Sequence, residues 1–151
     1  MSKGNMLRGF MTVELRNKDG SVELKQTSEN TFVDGFRNQL LTAIGDGSTT
    51  SSKAAYIGIG TGGAVSAAST AIVGEFAESL RVAADSTVSA NSRLRLTGSY
   101  ASNVCTGNIS NMGLYSKNSG SCLIAGNTFS ASFAKASNQE LSVTYDITFS
   151  G

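Results

Sequence analysis

The sequence predicts a mainly β chain, an antiparallel β-sandwich of jelly-roll type with an N-terminal hairpin and one short helix at about 31–44. Three observations carry this. The segment ELSVTYDITFS places Leu141, Val143, Tyr145, Ile147 and Phe149 on one face and Ser142, Thr144, Asp146 and Thr148 on the other, the period-two pattern of a half-buried strand. Further short runs are punctuated by Asn, Ser and Gly turns. One segment has helical spacing against eight or so strands, and there is no βαβ rhythm. Alternation means one wet face, the mark of antiparallel sheets.

In chain order, MTVELRNKDGSVELK is a hairpin: Val13 and Leu15, then Val22 and Leu24, alternate with charged residues around the Asp19-Gly20 turn,. NTFVDGFRNQLLTAIGDG sets Phe32, Phe36, Leu40, Leu41 and Ile44 at helical spacing, with Asn30 or Thr31 as the cap and Gly45 or Gly47 as the stop,. YIGIGTGG begins as an apolar strand. AVSAASTAIVGEFAESL reads as irregular chain leading into a strand around Leu80 to Val88. SRLRLTGSY puts Leu94, Leu96 and Tyr100 on one face and Arg93 and Arg95 on the other, and NMGLYS, SCLIAG and NTFSASF read as separate short strands.

Gly58, Gly60 and Gly63 also spell G-x-G-x-x-G, with Asp85 at a plausible distance for a dinucleotide fold,. That fold needs a helix opening on the phosphate, and the small and β-branched residues after Gly63 give no continuous apolar stripe. Gly58, Gly60, Gly62 and Gly63 are therefore expected to be structural, letting the chain leave the strand through a tight loop with positive dihedrals. No cofactor is expected.

With 151 residues the chain can bury roughly two thirds of its unfolded surface in one domain, set at residues 12–151 behind an N-terminal arm, 1–11. Twelve Lys and Arg against eleven Asp and Glu leave a net charge of +1, no long-range field for nucleic acid or an anionic membrane. There is no His, which removes Ser-His-Asp, Cys-His and His-zinc chemistry. Cys105 and Cys122 are too few for a soft-metal site, and free thiols are the default where MSKGNMLRGF offers no export signal,. No apolar run nears the roughly 20 residues that span a bilayer. A soluble protein made in the cytosol is expected, with no metal and no catalytic residues.

Taken together, YIGIGTGG, STAIVGEF, NISNMGLYS, SCLIAGNTFS and ELSVTYDITF resemble a family of small virion proteins of tailed bacteriophages. The shared order is an apolar strand ending in Gly-Thr-Gly, a Thr-Ala-aliphatic segment with Glu behind it, a Gly-Leu-aromatic strand and an alternating terminal strand. The resemblance implies a structural protein of the virion, a head decoration (cement) protein on the capsid surface, made in the bacterial host cytoplasm. Its implied partners are itself, as a dimer or trimer, and the major capsid protein. The alternative is a tail or fibre component acting as an adhesin for host surface glycan. The chain departs from the family at Asn111-Met112, where Glu stands before Gly-Leu, so a charged pairing of that site with Arg81 is not expected.

Two groups are candidates for oligomer or capsid contact: Met6, Leu7, Phe10 and Met11, adaptable apolar side chains near the N-terminus, and Arg93 with Arg95, which could dock on acidic loops. As solvated strand charges, the arginines would instead guard against aggregation. Glu75 and Glu78, three apart, could form an acid/base pair, but a structural hydrogen bond or ion pair for Glu75 and a solvated Glu78 is the expectation.

Overall fold

A computed structural model describes residues 6–46, 54–89 and 93–150. The elements are β1 (Met6–Arg16), β2 (Val22–Glu29), β3 (Thr31–Phe32), α1 (Asp34–Asp46), β4 (Tyr56–Gly60), a 3-10 turn at Glu78–Leu80, β5 (Val82–Ala83), β6 (Asp85–Ser89), β7 (Arg93–Tyr100), β8 (Gly107–Tyr115), β9 (Leu123–Lys135) and β10 (Glu140–Ser150). They form two antiparallel five-stranded sheets. Sheet I has the order β2-β1-β10-β7-β6 and sheet II the order β3-β9-β8-β4-β5. The expected sandwich is met at this level. Three neighbouring pairs, β1–β2, β6–β7 and β8–β9, are hairpins inside one sheet, where a jelly roll winds its strands through two Greek keys.

The alternating strands face each other across the core. Met11, Val13 and Leu15 of β1, Leu96 and Tyr100 of β7 and Leu141, Val143 and Tyr145 of β10 pack against Ile57 and Ile59 of β4, Ile109, Met112 and Leu114 of β8 and Ile124, Phe129 and Phe133 of β9. Tyr100 bolts the layers together by donating its hydroxyl to the Ile57 carbonyl at 2.7 Å. The first hairpin turns where expected, with Gly20 at φ +87°.

The N-terminal boundary at residue 11 falls inside β1. Met6 through Arg16 pair without interruption to Ser150 through Glu140, so residues 6–11 are sheet rather than arm; residues 1–5 lie outside the described residues. The helix starts later than expected because Thr31 and Phe32 pair with Gly126 and Ala125 of β9, and Val33 donates to the Ile124 carbonyl. Gly45 lies inside α1 rather than ending it, and Gly47 is outside the described residues. Among the described side chains of α1, Phe36 packs on the core, while Leu41 and Ile44 are 66% and 74% exposed. The expected strand at 80–88 is broken at Ala84, whose N–H bonds the Ala55 carbonyl while the chain crosses from sheet II to sheet I. SCLIAG and NTFSASF are one strand, β9, because Gly126-Asn127 does not turn. Among the described residues, no helix is long and apolar enough to cross a membrane.

Candidate functional site: a covered face and an open face

The two outer faces of the sandwich are built differently, and the glycines decide it. Gly58, Gly113 and Gly126 lie directly opposite one another on β4, β8 and β9. This row without side chains is a trough across sheet II. The segment after β4 folds back into it: a Cβ on Gly126 would stand 2.8 Å from Val65, one on Gly113 2.9 Å from Ile72, and one on Gly58 2.6 Å from a Glu75 oxygen. Val33, Ile72, Tyr115 and Leu123 close over the sheet as a second small core.

YIGIGTGG is thus answered by space. A Cβ on Gly60 would meet Asn111 Oδ1 at 2.5 Å and one on Gly62 the Val73 carbonyl oxygen at 2.1 Å, while one on Gly63 would meet nothing. The positive dihedrals expected here are absent: among the described residues the glycines with positive φ are Gly20, Gly74, Gly107 and Gly120. Beyond β4 the chain is rich in turns and hydrogen-bonded back to the strand, through Thr61 N–H to the Gly74 carbonyl and Phe76 N–H to the Ile59 carbonyl, both 3.0 Å.

Arg81 locks this strap. Its Nε and Nη2 donate to the two carboxylate oxygens of Glu75 at 2.6 and 3.0 Å, and its Nη1 and Nη2 donate to the carbonyls of Lys117 and Gly120 at 3.2 and 3.1 Å. The guanidinium lies 3.6 Å from the centre of the Tyr115 ring, a cation–π contact. Burial works against its charge, but the hydrogen bonds and negative charge of Glu75 outweigh that and hold Arg81 above its ordinary range. Burial likewise pushes the Tyr115 hydroxyl up to about 12. That hydroxyl accepts the Ile72 N–H and donates to Glu75.

Glu75 therefore has the structural ion pair expected of it. Glu78, half exposed, reaches the same guanidinium at 3.9 Å and accepts the Gly120 N–H. Both carboxylates are turned to one cation. Asn111 donates to the Gly63 and Val73 carbonyls and not to this cluster, so no charged pairing joins the Asn111-Met112 site to Arg81.

No family model, curated protein or solved structure matches this chain.

Among the described residues, no segment covers the outer face of sheet I. Register places Thr27, Thr12, Thr144 and Thr97 side by side across four strands, and Thr12 and Thr27 share a hydrogen bond of 2.9 Å. The next row holds Glu29, Phe10, Asp146 and Arg95, and the one beyond it Arg8, Thr148 and Arg93. Arg95 makes a two-point bridge to Asp146 at 2.7 and 2.9 Å, and Arg8 makes one to Glu29 at 2.9 Å while lying 5.0 Å from the Phe10 ring centre. The Arg95 hydrogen bonds lower the Asp146 carboxyl below its ordinary range against the opposing effect of burial, and the charges of Arg95 and Arg93 add to it.

The candidate contact residues are divided by this geometry. Phe10, Arg93 and Arg95 are brought onto the open face. Met11 is fully buried and Leu7 packs against the core, because β1 alternates; neither is available for contact in the way expected of an arm. Met6 pairs with Ser150 at the end of β1. The free thiol Cys105 is buried, and Cys122, also free, is half-buried in the small core beside Arg81. Sequence reading missed the threonine row, whose members are far apart in the chain, and Lys135, a buried strand residue whose ammonium donates to the Ala101 carbonyl at 3.1 Å. Burial lowers the pKa of Lys135.

Proposed function

We propose that this protein is a structural component of a tailed-phage virion, a head decoration protein that binds the capsid lattice and stabilises it by buried interface. One observation carries the reading: the segments that bear the family resemblance are neighbours in space. Tyr56–Gly60 pairs with the Asn111–Tyr115 stretch of β8, and Glu75 reaches both Tyr115 and Arg81. Their polar groups are spent on holding the strap to sheet II, which is the behaviour of a scaffold signature. Binding is then left to sheet I and to the apolar side chains of α1. Stabilisation of a lattice by such a protein adds up over its copies, since it binds the folded capsid and not the unfolded one.

A second reading is favoured by the open face itself. A shallow groove of about 350 Å³ there is lined by hydroxyls of Thr12, Thr27, Ser142 and Thr144, with Glu14, Lys25 and the bridged Arg95 and Asp146 supplying equal numbers of both charges. That is a surface for a neutral, hydroxyl-rich ligand, as in an adhesin for host glycan. The two readings are separated by mixing purified protein with undecorated phage heads, with tails and with host cells, and measuring co-sedimentation. Saturable binding to heads with raised heat stability of the particle supports decoration. Binding to tails or cells alone moves the assignment to the adhesin, and binding to none rejects both.

A further inference from the structure

We infer that the free edge of β6 pairs with the β6 edge of a second copy of this chain, antiparallel about a two-fold axis, to make one continuous ten-stranded sheet. The inference rests on the homo-oligomer expected of the proposed virion protein and names the surface.

Sheet I has two edges, and only one is protected. At the β2 edge, Gln26 Nε2 donates across to the Ala131 carbonyl of β9 at 3.0 Å, and Asn127 donates to Ser28. Glu23, Lys25 and Glu29 add charge along β2. Both devices discourage edge pairing. β6, Asp85–Ser89, ends the sheet on the other side with neither Lys nor Pro in it. Among the described residues its outward backbone groups pair with no strand, and such a row is a template for another strand.

β6 also overhangs its partner layer. Ser86 and Val88 are opposite Leu96 and Leu94, so Val88 belongs to the inner face whose other members make the core. Yet it is 79% exposed, the largest exposure among the large apolar side chains described. The reason lies below it, where sheet II ends in β5, a strand of two residues. An added strand at this edge would satisfy backbone groups and cover Val88 in one step.

A second copy meets the chemistry of the edge. An antiparallel edge is complementary to itself under a two-fold axis. With Thr87 on the axis, Ser86 faces Val88 of the second copy and Asp85 faces Ser89 of the second copy. Each valine is then flanked by the added strand on the inner face, opposite Ser86 of the other copy and diagonal to the other Val88. The two Asp85 carboxylates fall at opposite ends of the ladder, so no like charges meet.

The test is sedimentation equilibrium on the full chain from low to high micromolar concentration, native against Val88→Lys, with a Thr87→Cys variant held without reductant. The inference predicts a native dimer, at least a tenfold weaker one in Val88→Lys, matching melting curves for the two at concentrations where both are monomers, and a disulfide-linked dimer in Thr87→Cys. A native chain that stays monomeric overturns it. So does a dimer that Val88→Lys leaves intact and Thr87→Cys does not cross-link. Head co-sedimentation is scored separately: a β6 dimer that ignores heads keeps the inference and rejects the decoration reading, and a monomer that binds heads does the reverse.

Discussion

Sheets I and II have the same number of strands and opposite fates. Sheet II is covered on both sides, by the core within and by its own 61–77 strap outside, whereas sheet I presents a polar outer face and an unguarded edge. The difference is set by side-chain size at three register positions. Gly58, Gly113 and Gly126 make a trough that the chain fills itself, while threonines in the equivalent row of sheet I leave a flat hydroxylated surface. A glycine in a strand interior weakens it and admits another backbone. Here the admitted backbone belongs to the same molecule.

The sharpest way to break this contrast is to unlock the strap. Arg81→Met leaves the Glu75 carboxylate, only 11% exposed, without its cation, and loss of one member of a buried pair costs about 3–5 kcal/mol. Urea denaturation should show it, and Glu75→Gln on top of Arg81→Met should recover part of the loss. Narrowing the trough comes next. Gly113→Ala places a methyl 2.8–2.9 Å from Leu123, Ile72 and Tyr115, and overpacking of this kind costs about 1–3 kcal/mol; a stability equal to native would mean that the strap does not bed on the glycine row.

Sheet I should respond less. The Asp146 carboxyl is lowered in the folded protein, so its contribution is present above the unfolded carboxylate pKa and lost as pH falls through the folded value. Asp146→Asn should therefore flatten the acid limb of the stability curve below about pH 4 and cost less at neutral pH than Gly113→Ala, as a partly exposed pair must. Smallest of all, Val88→Lys should change stability by no more than about 0.5 kcal/mol in the isolated chain, since a side chain already in solvent has no packing to lose.

The sequence made legible what depends on local pattern. The alternation of Leu141 to Ile147, the turn at Gly20 and the outward Arg93 and Arg95 all follow from period and turn chemistry. What depends on distant neighbours was hidden. Gly126 reads as a turn until Val65 is known to lie on it, and Asp85 reads as a ribose ligand or a strand residue until the sheet is seen to end there. The helical spacing of Phe36, Leu40, Leu41 and Ile44 is genuine, but periodicity gives a face and not its occupant, and only Phe36 finds the core. Glu75 and Arg81 were both noticed, yet their pairing needed the fold-back of the strap onto β4. The threonine row is invisible without register, because its four members come from four strands.

The claim that sheet I is the side offered to others is tested most directly by amide hydrogen exchange, resolved by residue and measured at two widely separated protein concentrations. The account predicts that protection of Asp85–Ser89 rises with concentration while that of Tyr56–Gly60 in sheet II does not change. Exchange independent of concentration throughout both sheets would contradict it.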